Sequence, residues 1–260
     1  MFDFLKPKPK EPIPIFEGLV TDMHCHLLPG VDDGCRGCDD TIACLQDMKK
    51  VGFSKVFCTP HYQYPRYPNV EEDIIELYDM VTKDIRKLDM VHGIELVGVA
   101  GEYRIDSGFQ QRIEDNKFLL VDGKYLLVEL SLHQQAIGIE DILFKLQMKN
   151  YEIILAHPER YPYFSSQSPH YSRLKDMGIM FQTNILSLSG FYGEQPRQKA
   201  FEMIEDGWVE FLGTDTHNTL YTRALMDATH DKRIQKMMDR HGHKFLNNKL
   251  THPEPPKKKF

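Results

Sequence analysis

The stretch Asp22-Met23-His24-Cys25-His26-Leu27-Leu28-Pro29-Gly30-Val31-Asp32-Asp33-Gly34 decides how the rest of the chain is read. His24 and His26 stand two residues apart directly after an apolar run, and only an extended backbone sends residues i and i+2 to the same side. On a helix the two imidazoles would diverge. The run therefore predicts a strand, Leu19 to His24, that delivers a pair of imidazoles into a loop bearing Asp33. Spacing alone is a weak signal, since His241-Gly242-His243 repeats it in a polar segment that reads as solvated surface.

What strengthens the first pair is the company it keeps. His61 closes Val56-Phe57-Cys58-Thr59-Pro60-His61, and Glu102 closes Leu96-Val97-Gly98-Val99-Ala100-Gly101-Glu102. Glu129 sits in Tyr125-Leu126-Leu127-Val128-Glu129-Leu130, and His157 ends Ile153-Ile154-Leu155-Ala156-His157. Phe211-Leu212-Gly213-Thr214-Asp215-Thr216-His217 supplies another i, i+2 pair. With Asp33 these make nine candidate metal ligands: His24, His26, Asp33, His61, Glu102, Glu129, His157, Asp215 and His217. A single His or Glu at a strand end is ordinarily solvated or supporting. Repetition at successive strand ends is what changes the odds.

Strands are expected at Leu19 to His24, Lys55 to Thr59, Ile94 to Glu102, Tyr125 to Leu130, Ile153 to His157, Met180 to Asn184 and Glu210 to Asp215, with helical patterns in most gaps. Between the first two strands, Ile42, Leu45 and Met48 recur at helical spacing, with Asp39 and Asp40 as N-cap candidates and Gly52 as a C-cap. Val70 to Met90 and Ile139 to Lys149 carry apolar stripes opposite charged faces, which suit packing on a sheet. Such alternation implies parallel strands. An open sheet binds ligands at a switch point with few strands, whereas a barrel gathers residues from all its strand ends at one mouth. Candidates from six of the seven strands favour a distorted TIM-like (βα)7 barrel with its site at the C-terminal strand ends. The sixth strand ends in Gln182-Thr183-Asn184 and offers no obvious ligand.

Composition agrees. A chain of 260 residues with 41% hydrophobic content suits one large α/β domain, and a net charge of −6 gives no footprint for nucleic acid. No apolar run is long enough to span a bilayer, and Met1-Phe2-Asp3-Phe4-Leu5-Lys6 lacks the apolar core of a secretion signal, so a cytoplasmic protein is expected. The expected organisation is a flexible lead at 1–16, a barrel domain at 17–248 and a flexible tail at 249–260. Five cysteines suit free thiols, Cys35-Arg36-Gly37-Cys38 has no second pair to make a zinc ribbon, and Cys25 should face away from its histidine neighbours.

Five imidazoles and four carboxylates suit borderline divalent ions, and nine ligands are enough for two or three of them. Such clusters clamp the oxygens of phosphoryl transfer and lower the pKa of water, so no protein nucleophile is needed. Three divalent ions against four carboxylates leave a net positive charge that would draw in a phosphate dianion.

His24-Cys25-His26-Leu27-Leu28-Pro29 through Asp32-Asp33-Gly34, Thr59-Pro60-His61, Gly101-Glu102, Val128-Glu129-Leu130-Ser131, Ala156-His157-Pro158-Glu159-Arg160-Tyr161 and Thr214-Asp215-Thr216-His217-Asn218 resemble the motif series of the PHP (polymerase and histidinol phosphatase) superfamily. More narrowly, they resemble the metal-dependent protein-tyrosine phosphatases of bacterial capsule and exopolysaccharide clusters, the CpsB/CapC type. The resemblance spans Leu19 to Asn248. It implies a trinuclear site, manganese first and iron, zinc, cobalt or magnesium as alternatives, and dephosphorylation of the tyrosine-rich tail of a tyrosine autokinase. It makes the nine positions metal ligands and Arg160 the phosphate-binding arginine, a role its two-pronged fork suits. Arg223 lies near a second phosphate-contacting arginine of the family, at a shifted spacing. Thr214 and Thr216 stand where the family often has Ser and Met or Ala, with no ligand lost.

Tyr62, Tyr64 and Tyr67 follow His61 and are candidates to stack on a phosphotyrosine ring, the alternative being a Pro-stiffened loop. No cysteine has an arginine six positions later, as a cysteine phosphatase requires. A small-molecule phosphatase, such as one for histidinol phosphate, would use the same metals, and a non-catalytic regulatory domain of this superfamily is a further alternative. An oligomer is compatible with the sequence.

Overall fold

Along β6 (Tyr125–Glu129) the side chains alternate between two cores, and that alternation lays out the architecture. Tyr125 and Leu127 turn to an inner cluster with Met23, Phe57, Val97, Ile154 and Phe211, while Leu126 and Val128 turn to a larger outer one. A parallel sheet filled by side chains within and covered by helices without is barrel geometry.

The computed structural model describes residues 10–88, 91–135 and 137–251. Its strands are β1 (Thr21–Asp22), β2 (Lys55–Cys58), β3 (His61–Tyr62), β4 (Glu95–Val99), β5 (Glu102–Arg104), β6, β7 (Glu152–Ala156), β8 (Met180–Asn184) and β9 (Phe211–Gly213). All pair in parallel, in the orders β1-β2-β4 and β3-β5-β6-β7-β8-β9. These two ladders are one surface. Pro60, with no N–H to donate, splits β2 from β3, yet its carbonyl accepts from Glu102 N at 3.0 Å, and Cys58 O accepts from Ala100 N at 2.8 Å. β2 with β3, and β4 with β5, are therefore single barrel strands, and seven strands result.

The surface closes where β9 meets the continuation of β1. Asp215 N donates to His24 O and His26 N to Thr216 O, both at 2.8 Å. Nearer the strand starts, the Asn247 amide joins the two edges. Its Nδ2 donates to Thr21 O at 2.9 Å and Leu212 O at 2.7 Å, and its Oδ1 accepts from Leu212 N at 3.0 Å.

The helices are α1 (Cys38–Lys50), α2 (Glu71–Leu88), α3 (Phe109–Asp115), α4 (Ile139–Met148), α5 (Pro169–Asp176), α6 (Ile185–Ser189), α7 (Glu194–Glu205), α8 (Thr219–Ala228) and α9 (Lys232–His241). α1 buries Ile42, Leu45 and Met48 as the spacing predicts, but its N-cap is Gly37. Asp39 and Asp40 lie in the first turn, where carboxylates favour the positive end of the helix dipole. Gly52 follows the C-cap Val51 in a left-handed conformation, φ +116°.

Two expected boundaries move. Residues 1–9 of the lead lie outside the described residues, but Phe16 is fully buried and stacks on Phe53 at 5.9 Å. At the other end, Leu250 is buried in the inner core, closing the barrel beneath the strand starts, and only 252–260 of the tail lie outside the described residues. The cysteines are free thiols. Cys25 turns outward as expected and its thiol donates to Phe57 O at 3.2 Å. Among the described residues, no helix is long and apolar enough to cross a membrane.

Candidate metal centre

Inward-facing positions at the strand ends carry ionisable side chains instead of apolar ones. Glu129 continues the inward series Tyr125, Leu127 on β6, and Asp215 continues Phe211, Gly213 beyond β9. On β7 the series would turn His157 outward, because Ala156 already faces inward. The chain corrects this with a left-handed backbone at His157, φ +35°, and Asp215 is similarly placed at φ +52°. Each such residue costs on the order of 1–3 kcal/mol, a strain that concentrates at functional sites. Gly213 is required by space, since a Cβ there would lie 2.8 Å from both His24 Cβ and Gln182 Nε2.

The barrel brings the nine candidates together at its mouth. The Nε2 atoms of His24 and His26 are 3.4 Å apart. His26 Nε2 lies 3.3 Å from Asp215 Oδ1 and 3.4 Å from Glu102 Oε2. His157 Nε2 is 2.9 Å from Glu102 Oε1, and His61 Nδ1 is 3.6 Å from Glu129 Oε1. Four overlapping triads could each hold an ion: His24, His26 and Asp215; His24, Glu102 and His157; His61, Glu102 and Glu129; His26, His61 and His217. Asp33 stands at the rim, its Oδ1 3.5 Å from His61 and 3.7 Å from His217. The donor set suits divalent cations. His61 Nδ1 and Glu102 Oε2 approach to 2.9 Å without the alignment of a hydrogen bond, and among the described residues these buried atoms and His157 Nδ1 have no hydrogen-bond partner.

Electrostatics agree with a cluster short of positive charge. Burial opposes protonation of His24, but the carboxylates of Glu102 and Asp215 outweigh it and lift its pKa to about 9. Burial, reinforced by Glu102, pushes Glu129 up to about 7. Burial likewise raises the cost of charge on Glu102, yet the surrounding imidazoles hold it well below the ordinary range. Divalent ions would satisfy these carboxylates where protons otherwise must.

Several supporting residues went unseen in the sequence. His26 Nδ1 donates to Asp32 Oδ2 at 2.8 Å, and His217 Nδ1 to Asp215 O at 2.8 Å. Of the adjacent aspartates 32 and 33, the first holds the His26 ring and the second faces the cavity. Gln182 and Asn184, on the strand read as barren, contact His24 and Asp215. Arg104 lies two residues after Glu102, hence on the same face, and its Nη1 donates to Glu129 Oε1 at 3.1 Å. The i, i+2 rule that found His26 would have found it.

A cavity of about 350 Å³ opens over the cluster, lined in part by Arg66, Tyr67, Arg104, Arg160 and Tyr221. Arg160 ends a 3-10 turn, Pro158–Arg160, with Nη1 2.7 Å from Asp215 Oδ2 and its guanidinium 4.1 Å over the Tyr192 ring. Arg223 lies exposed on α8 and is not among the residues lining this cavity. Tyr67 stacks on His61 at 5.6 Å, whereas Tyr62 is buried against Tyr103 and Tyr64 is exposed. His241 and His243, the other spaced pair, lie at the end of α9, where His241 Nε2 is 3.8 Å from Glu205 Oε2.

Fold and site together define a parallel (βα)7 barrel whose mouth gathers His and carboxylate side chains that could hold divalent cations. The chain belongs to the capsular polysaccharide synthesis CpsB/CapC family, whose sequence model matches residues 20–251. It is 27% identical to the tyrosine-protein phosphatase YwqE of Bacillus subtilis, over 90% of this chain and 94% of that protein. It is also 27% identical to the tyrosine-protein phosphatase CpsB of Streptococcus pneumoniae, over 81% of this chain and 88% of that one. Among solved structures, a chain from the crystal structures of YwqE from Bacillus subtilis and CpsB from Streptococcus pneumoniae, described as unique metal-dependent tyrosine phosphatases, shares its fold. The match has a TM-score of 0.73 and 24% identity, covering 92% of this chain and all of the other.

Proposed function

We propose that this chain is a metal-dependent phosphoric monoester hydrolase that removes phosphate from phosphotyrosine. The observation that carries this reading is the convergence, at one barrel mouth, of nine His and carboxylate side chains with the Arg160 fork. Its family, and relatives named tyrosine-protein phosphatases along most of its length, support the choice of ester.

Two or three divalent ions, manganese first, would supply Lewis acidity and make water nucleophilic at neutral pH when bound. The chain's own residues divide the remaining work. His24, His26, Asp33, His61, Glu102, Glu129, His157, Asp215 and His217 hold the cations. Arg160, anchored by Asp215 on one nitrogen, presents its other N–H groups to the phosphate oxygens, where a fixed positive charge favours the transition state. Arg104 lines the same cavity beside Glu129 and adds a second fixed charge. Tyr67 and Tyr221, packed on His61 and His217, wall the mouth and offer ring surface to a phenyl ester. The substrate we infer is the phosphorylated tyrosine-rich tail of a bacterial tyrosine kinase governing capsule synthesis, met in the cytoplasm.

The test is phosphate release by chelator-stripped protein reloaded with manganese, iron, zinc, cobalt or magnesium. Phosphotyrosine peptide, phosphoserine peptide and histidinol phosphate are compared. Metal-dependent turnover selective for phosphotyrosine is expected. A preference for histidinol phosphate would move the protein to small-molecule substrates, and tight metal binding without turnover would make it a regulatory domain.

A further inference from the structure

We propose that Gln182 and Asn184 form a polarised amide relay through which the Asp215 carboxylate dictates which ring nitrogen of His24 is free to bind metal. This makes them positioning residues, and the proposal rests on the metal-centre reading above. Both side chains sit on the inward face of β8, two residues apart, and both are fully buried. Asn184 Nδ2 is 2.7 Å from Asp215 Oδ2, Gln182 Nε2 is 2.9 Å from Asn184 Oδ1, and Gln182 Oε1 is 2.7 Å from His24 Nδ1.

The polarity of this chain follows from its carboxylate end. An ionised carboxylate accepts only, so Asn184 must present its NH2 to Asp215 and its oxygen to Gln182. Gln182 must then give its NH2 to that oxygen, leaving its own oxygen toward His24. Only an N–H can face that oxygen, so the proton of His24 lies on Nδ1. In the neutral ring that binds a cation, the Nε2 lone pair is then the free one, and that nitrogen lies 3.4 Å from Glu102 Oε1 and 3.6 Å from Asp215 Oδ1. His26 reaches the same tautomer through the Asp32 carboxylate and His217 through the Asp215 carbonyl.

Amides are apt at this place. A carboxylate at position 182 would add a further negative charge to a fully buried cluster, whereas an amide passes on direction without charge. Gly213 leaves the room the relay passes through. Asn184 is also pinned from behind, its backbone N donating to Glu159 Oε1 at 3.0 Å.

Two measurements with zinc test the relay, neither of them catalytic, the first on the loaded protein. In the wild type, ring-nitrogen NMR should show His24 protonated at Nδ1 and ligating through Nε2. The reverse assignment overturns the relay with no variant needed. In Gln182→Met and Asn184→Leu, calorimetric zinc titration of stripped protein should show one ion bound about 10- to 100-fold more weakly, the usual scale for lost ligand support. The Nδ1–H signal of His24 should be disturbed in both, although Asn184 does not touch His24, while those of His26 and His217 persist. Folded variants with zinc affinity within threefold of wild type and an unchanged His24 signal would sink the relay alone. Wild-type protein that binds no zinc would sink the metal centre with it.

Discussion

Arg160 is held by charge on one side and by a ring on the other, and this arrangement limits what its loss can do. Its Nη1 pairs with Asp215 Oδ2, a carboxylate that also accepts from Asn184, while the opposite oxygen faces His24 and His26. Removing the guanidinium therefore leaves the inward-facing Oδ1 and the imidazoles in place. Arg160→Ala is expected to keep its metal content, measured by elemental analysis, and to lose about a hundredfold or more in turnover, the scale of a deleted charge-stabilising donor. His26→Ala and Asp215→Ala should instead lose metal and activity together. Full turnover without Arg160 would remove it from the phosphate site. At this scale the sequence was informative wherever a residue could be tied to a strand end, as for His157 or Glu129. It was ambiguous for Asp32 and Asp33, neighbours of equal chemistry whose division of labour depends on the turn between them. Arg223 lies off the cavity for a related reason: one step along a helix rotates a side chain by about 100°, and position 223 faces solvent.

The segment from His157 to Phe164 shows how an element is made rigid without regular structure. Tyr161 donates to Ala156 O and accepts from Leu130 N, Tyr171 donates to Pro158 O, and Lys199 Nζ donates to Tyr161 O at 2.6 Å and Phe164 O at 2.8 Å. These contacts fix the turn that aims Arg160, and the sequence does not reveal them, because Leu130 and Lys199 lie more than thirty residues from Tyr161 and the Tyr161 bond to Ala156 O depends on how the turn folds back. Strand β8 hid its contribution differently, since amides rarely ligate metals and its Gln182 and Asn184 reach instead to His24 and Asp215 of other strands. Lys199 also gives the segment a pH signature. Burial pulls its pKa from 10.5 down to about 8, so the unfolded chain binds more protons between those values. Unfolding free energy therefore gains a rising contribution from this group as pH increases through that window, at most about 1.4 kcal/mol per unit. Lys199→Met should be less stable overall, with two carbonyls left unpaired, and its urea midpoint should rise less than wild type between pH 8 and 10. Parallel midpoints in the two proteins would show that Lys199 does not titrate there.

Closing a sheet into a barrel requires its last strand to find its first, the longest-range pairing in this molecule. The parallel βα rhythm and the placing of candidate ligands at strand ends made a seven-stranded barrel legible. The means of closure was not, because it depends on Asn247, in a segment whose sequence carries no periodicity and which the expected domain boundary nearly cut away. Its amide satisfies three buried backbone groups on the two edges that no strand partner reaches. The same seam runs up to the mouth, where His24 and His26 from one edge face Asp215 and His217 from the other. Metal bound across these side chains would reinforce at the top what Asn247 does below, and would add about 4 kcal/mol at a thousandfold excess over the dissociation constant. Asn247→Leu, similar in volume, should strand all three backbone groups at about 1–3 kcal/mol each. Urea denaturation in excess chelator is therefore expected to show a loss of roughly 3 kcal/mol or more. Saturating zinc should raise the midpoint of both proteins. A loss under about 0.5 kcal/mol in chelator, the size of an ordinary surface substitution, would mean that the seam closes without Asn247.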